Sequence, residues 1–139
     1  MDAIPVIAFG ITLCDDDFLS DIEFSGAVDP VPEYLFDAAG TVSGCGPAYM
    51  YMFAEALADG AVACGVPRAK AYEYAAMTMV GAAQMYLQTK THPGALKDAV
   101  CSPGGATLQG VAVLERDDLK GIVTAAIDAA YKRTLEMKK

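Results

Sequence analysis

Two long stretches of this chain carry almost no charge, and they limit its fold more than any other feature. From about Pro47 to Cys64 the charged residues are Glu55 and Asp59, four apart and so on one side of a helix. From Arg68 to Lys90 a second helical run has a middle, Tyr74 to Leu87, with no charge at all. A helix with so narrow a polar stripe is buried around most of its circumference. A chain of 139 residues, 54% of them hydrophobic, has too little interior to bury two such helices fully. The surplus must face a membrane or a partner subunit.

A membrane fits poorly. Tyr74 to Leu87 and Ala39 to Ala54, the longest low-charge stretches, are shorter than the roughly 20 residues a span requires. Neither is flanked by the Lys and Arg clusters that orient a span. The small residues Ala76, Gly81, Ala82 and Ala83 instead predict close packing of helix on helix across a subunit interface. A net charge of −8 argues against nucleic acid, whose phosphates would repel the chain. The apolar run Ile4 to Cys14 lacks both the basic start and the small-residue cleavage site of a signal peptide, since Asp2 and Asp15 to Asp17 stand there. Cys14, Cys45, Cys64 and Cys101 form no C-x-x-C pair, and with one histidine in the chain a metal site is not expected. Reduced thiols in a cytoplasmic protein are the expectation.

The punctuation predicts an all-α helical bundle after an irregular or extended segment, residues 1–32. Ile4 to Leu13 is β-branched and apolar, suited to an edge strand, and Asp15 to Asp17 suits a solvated turn. Pro32-Glu33 can open a helix. Gly44, Gly46 and Pro47 interrupt the helical text, and Gly65-Val66-Pro67 stops the helix that runs to Cys64. His92-Pro93-Gly94 is a break before a short helix, Ala95 to Val100, with His92 in a structural role. Ser102-Pro103-Gly104-Gly105 is another break, before Ala106 to Leu114. The last helix, about Asp117 to Met137, repeats Leu119, Ile122, Val123, Ala126 and Ile127 at three-and-four spacing.

Ser102-Pro103-Gly104-Gly105-Ala106-Thr107 is the stretch with chemical content. A serine N-cap followed by proline starts a helix, and two glycines uncover its first backbone N–H groups. Those groups have no partner inside the helix and sit at the positive end of its dipole, where a carboxylate binds well. Taken alone, the string reads first as a plain helix start with glycines for close packing, because short Ser-Pro-Gly-Gly strings are common.

Its surroundings decide more. His92-Pro93-Gly94, Leu96-Lys97-Asp98, Val100 and Ser102 to Thr107 together resemble the signature of pyrroline-5-carboxylate reductase. Ser43-Gly44-Cys45-Gly46-Pro47-Ala48-Tyr49 resembles a second motif of that family. Ala56-Leu57-Ala58-Asp59-Gly60 with Gly65-Val66-Pro67-Arg68 resembles a third. Met1 to Val6 is similar to the family's hinge, which places the start of this chain where the family's nucleotide domain ends. Thr91 and Lys120 stand where family members often carry an acid and an arginine.

The resemblance implies a helical dimerisation domain over residues 33–139, interlocked with a second copy. It implies the reduction of 1-pyrroline-5-carboxylate to L-proline by NADPH or NADH in the complete enzyme. The substrate-binding residues would be Ser102, Gly104, Gly105, Ala106 and Thr107. Ser102 and the N–H groups around Gly105, Ala106 and Thr107 would hold the carboxylate, and Thr107, the catalytic residue, would hydrogen-bond the ring nitrogen. The 139 residues hold no G-x-G-x-x-G after a strand, so no cofactor is expected to bind this chain alone. The expected partners are a second copy or a higher oligomer, a small carboxylate such as pyrroline-5-carboxylate or proline, and a separate nucleotide-binding chain. The alternative is a stand-alone dimeric binding or structural module with no redox activity.

Overall fold

A computed structural model describes residues 6–8 and 28–138. The chain divides into two units, Met1–Tyr51 with Ile122–Lys139, and Met52–Gly121. In the first, strand β1 (Val6–Ala8) pairs antiparallel with β2 (Val28–Pro30), Ile7 opposite Asp29. Part of the extended segment expected from Ile4 to Leu13 is thus a strand; Asp15 to Asp17 lie outside the described residues. Apart from this short ribbon the described chain is helical.

Pro32, in extended backbone, leads into a 3-10 turn, Glu33–Leu35, and then into helix α1, Phe36–Ala63. The expected interruption at Gly44, Gly46 and Pro47 does not occur: α1 is continuous, with Pro47 inside it. An internal proline removes one N–H donor and crowds the carbonyl four residues back, at a cost of about 3 kcal/mol. Gly44 and Gly46 beside it add no side chain to that crowding, and a Cβ at either would meet open space. In the same unit Tyr49 Oη donates to the Ala126 carbonyl of the last helix at 3.4 Å, and Lys138 pairs with Asp37.

The second unit begins within α1. There the helix ends in a Schellman motif: the Gly65 N–H donates to Val62 O at 2.9 Å, and the Val66 N–H to Ala61 O at 3.0 Å. Gly65 takes φ +96°, a conformation that favours glycine. Helix α2 (Arg68–Thr89) then returns, and an ion pair from Arg68 to Asp59 spans the turn. The core of this unit is built from alanine. Ala58, Ala71 and Ala75 are buried, and Ala54, Ala61, Val62 and Val66 pack against them. Spacings of four along α2, and of four, three and one along α1, place these residues on facing stripes. The small residues predicted to pack closely, Ala76 and Gly81 to Ala83, are exposed on this chain. So is every residue from Gly81 to Thr89.

Lys90 ends α2 in the left-handed region, φ 54°. His92 Nδ1 accepts the Gly94 N–H at 3.1 Å and caps α3 (Pro93–Ala99), the structural role expected of it. Helices α4 (Ala106–Arg116) and α5 (Leu119–Met137) meet at Asp117-Asp118, so α5 starts two residues later than the periodicity suggests. The reason is a side-chain cap. Asp118, at φ 55°, accepts the Gly121 N–H on Oδ1 at 3.2 Å, and a Cβ at Gly121 would run into that carboxylate. Asp118→Ala loses the cap and places alanine in the left-handed region, so it is expected to destabilise the fold by about 1–2 kcal/mol. Asp118→Asn keeps an acceptor and tolerates that backbone, and urea denaturation of the two variants separates these effects.

Candidate functional site

The connection between α3 and α4 carries the residues singled out by the sequence, and all of it lies within the second unit. Pro103 presets the first central position of a turn and Gly104 takes φ +70° at the second. The Gly105 N–H closes the turn on the Ser102 carbonyl at 2.9 Å. Proline followed by a positive-φ glycine is the requirement of a type II turn. Gly105, in extended backbone at φ −72° and ψ 160°, is the N-cap of α4, without a side-chain cap.

This geometry corrects two details of the expected site. Ser102 is not the N-cap; it is the first residue of the turn, three positions before the cap. Gly105 does not offer its N–H, which Ser102 already holds. The uncovered donors of the first turn are therefore those of Ala106, Thr107 and Leu108, the last of which the sequence reading left out. Motif reading picks out side chains and glycines, whereas a donor without a side-chain signature is found only once the N-cap is placed.

Ser102, Gly104, Ala106 and Thr107 are exposed and Gly105 is half-buried. Among the described residues the hydroxyls of Ser102 and Thr107 have no hydrogen-bond partner. Gly105 has a reason to be glycine: a Cβ there would collide with the Ser102 hydroxyl and stand 3.1 Å from its carbonyl oxygen. The turn thus presents three N–H groups and two hydroxyls at the positive end of α4, an arrangement suited to a small anion.

Two grooves of this unit supply no walls for such a ligand. One, of about 580 Å³, is lined by Lys97 and by apolar residues that include Ala82, Met85, Tyr86, Leu96 and Val100. The other, of about 530 Å³, lies beside Lys97, Leu114, Glu115 and Leu119. Neither is lined by any residue from Ser102 to Thr107. Lys97 Nζ contacts Glu115 Oε1 at 3.2 Å and Asp98 Oδ1 at 3.3 Å; hydrogen bonds to Glu115 first, and then to Asp98, hold its pKa above the ordinary lysine value. Among the described residues no group of three or more His, Cys, Asp or Glu side chains could hold a metal ion. Cys45, Cys64 and Cys101 are free thiols. No helix among the described residues is long and apolar enough to cross a membrane.

A family model described as pyrroline-5-carboxylate reductase dimerisation matches residues 33–137. A pyrroline-5-carboxylate reductase from Synechocystis is 48% identical over 82% of this chain and 43% of its own length. The crystal structure of Plasmodium falciparum pyrroline carboxylate reductase with NADP bound superposes with a TM-score of 0.78 at 33% identity, over 93% of this chain and 50% of that one. The reductase from Streptococcus pyogenes gives 0.74 at 37% identity, over 82% of this chain and 44% of that one. The chain spans about half the length of the relatives it matches. Through residues 33–137, the chain belongs to the pyrroline-5-carboxylate reductase dimerisation family.

Proposed function

We propose that this chain is the dimerisation and substrate-carboxylate half of a pyrroline-5-carboxylate reductase, acting in proline biosynthesis as a cytoplasmic homodimer. What supports this reading is the family's Ser102–Thr107 motif at the start of α4, with three N–H groups and the Thr107 hydroxyl uncommitted. The N–H groups of Ala106, Thr107 and Leu108, with the Ser102 hydroxyl, hold the substrate carboxylate. Thr107 Oγ1 bonds the ring nitrogen, since a hydroxyl can donate to an imine nitrogen or accept from the amine that replaces it. The hydride comes from NADPH or NADH, and these residues do not fit that cofactor: the described strands are two three-residue antiparallel partners, with no parallel strand leading into a glycine-rich phosphate turn. A nucleotide-binding part, whether in the same polypeptide or a separate chain, supplies it and closes the site.

The dimer rests on surfaces that this chain leaves uncovered. Tyr51, Met52, Met77, Val80 and Leu87 are all more than half exposed, and no large side chain is fully buried among the described residues. Glycines inside a helix cost about 1 kcal/mol each relative to alanine. Yet a Cβ at Gly44, Gly46 or Gly81 would meet nothing within 4 Å on this chain. A second copy, its helices interlocked with these, both covers the apolar faces and requires the small residues. Free thiols at Cys45, Cys64 and Cys101 suit a reducing compartment.

The test is titration of the chain with proline and with sulfate, followed at the amide resonances of residues 102–108. Charge-assisted bonds contribute about 1.5–3 kcal/mol each, offset by the entropy of capturing a small ligand, so affinity is expected to be millimolar at best. Thr107→Val keeps the shape and loses one hydroxyl bond, and is expected to weaken proline about five- to tenfold while sparing sulfate. Gly105→Val clashes with Ser102 in the turn and is expected to weaken both ligands. Resonances at 102–108 that stay still with both ligands would remove the half-site.

A further inference from the structure

The short helix before the turn raises the question of what fixes its position. Helix α3 has seven residues, too few to be stable by its own hydrogen bonds, so its position depends on what it touches. On one side Leu96 lines an apolar groove together with Met85 and Tyr86. Across to α4 it has one ion pair among the described residues, from Lys97 to Glu115, eighteen residues apart. The segment enclosed by that pair contains the whole Ser102–Thr107 turn. Tying Lys97 to Glu115 fixes the two helices from which the turn hangs, and with them the direction in which the Ala106, Thr107 and Leu108 N–H groups point.

We propose that Lys97, through its ion pair with Glu115, is a positioning residue for the anion half-site at Ser102–Thr107; this rests on the reading of that turn given above. Lys97 does not act on the anion itself. Glu115 lies nine residues beyond Ala106, about 13.5 Å along the helix axis at 1.5 Å per residue. An ammonium held at Glu115 is therefore out of hydrogen-bond reach of a ligand at the first turn of α4. Asp98, the other partner, is Lys97's neighbour on α3 and joins nothing across the turn.

The experiment uses the 139-residue chain with four variants: Lys97→Met, Lys97→Arg, Glu115→Met and the double Lys97→Met/Glu115→Met. Backbone order at Gly104 to Thr107 is read from nitrogen relaxation without ligand, and proline and sulfate affinity from titration of the same resonances. Lys97→Met is expected to lower order at the turn and to weaken both ligands about threefold, the scale of one exposed ion pair. Lys97→Arg, which can still reach Glu115, is expected to restore both readouts. Glu115→Met leaves the lysine charge in place. It should nevertheless reproduce the Lys97→Met effect, and the double variant should be no worse than either single one. If Glu115→Met binds anions as tightly as the original chain or tighter, Lys97 acts as a direct cation and the positioning role is overturned. Unchanged order at the turn in Lys97→Met overturns it as well. Should the original chain respond to neither ligand, the half-site reading fails, and the ligand-free order measurements still decide whether Lys97 positions the turn.

Discussion

Replacing Ala82 by glutamate is expected to abolish assembly of this protein and most of its cooperative folding. On a single chain the substitution would be innocuous. Ala82 is exposed, on the wall of an apolar groove, and surface changes of that kind usually stay within about 0.5 kcal/mol. In the proposed dimer a partner helix lies against this stripe of small residues, so the glutamate would be buried without a cation. An unpaired buried charge costs several kcal/mol, comparable with the whole stability of a small domain. The contrast makes the test sharp. Sedimentation and circular dichroism at micromolar concentration should show a dimer for the unchanged chain and for Ala82→Ser. Ala82→Glu should give an expanded monomer with less helix. A folded Ala82→Glu dimer would move the interface elsewhere, and a well-folded monomer of the unchanged chain would remove the dimer.

Ala58→Asp is expected to have an effect of similar size by a different route. Ala58 is 0% exposed, in one buried cluster with Ala71 and Ala75 of α2. The cluster it joins is apolar, so a buried aspartate there must be protonated or force the helices apart. A loss of several kcal/mol is expected, measured as a collapse of the urea midpoint. Ala58→Leu carries no charge but overfills a contact built for methyl groups, and about 1–3 kcal/mol is the expected cost. Because this core lies within one unit of one chain, diluting the protein should not change the Ala58→Leu penalty. The Ala82→Glu defect, by contrast, is a defect of assembly.

Helix ends written in local chemistry were legible from the sequence. Gly65-Val66-Pro67 closes α1, and the break at His92 precedes α3, which starts at Pro93 rather than Ala95, because a positive φ, a missing N–H or a capping side chain acts within a few residues. The uncharged stretch Tyr74 to Leu87 announced by its composition that it needs more cover than one such chain provides. The motif Ser102–Thr107, too, could be recognised as a string, together with the family it resembles.

What the tertiary structure decided are the matters that local rules leave open or answer wrongly. Gly44, Gly46 and Pro47 are each unfavourable inside a helix, yet α1 runs through them, since a propensity penalty of a few kcal/mol yields to packing along a 28-residue helix. The alanine core lies at Ala58, Ala71 and Ala75, not at the equally small Gly81 to Ala83, because which apolar face is covered depends on which helix reaches it. The helix α4 begins at Ala106 as its punctuation suggests, but its N-cap is Gly105 rather than Ser102, and that shift of three residues changes which N–H groups remain free. Lys97 and Glu115, eighteen residues apart, share a side-chain contact only because the turn between α3 and α4 brings the helices together. Residue types and their order are enough to name the family and the string that carries its chemistry. Where a donor points, and what stands behind it, follows from contacts between residues distant in the chain, and those exist only in the folded molecule.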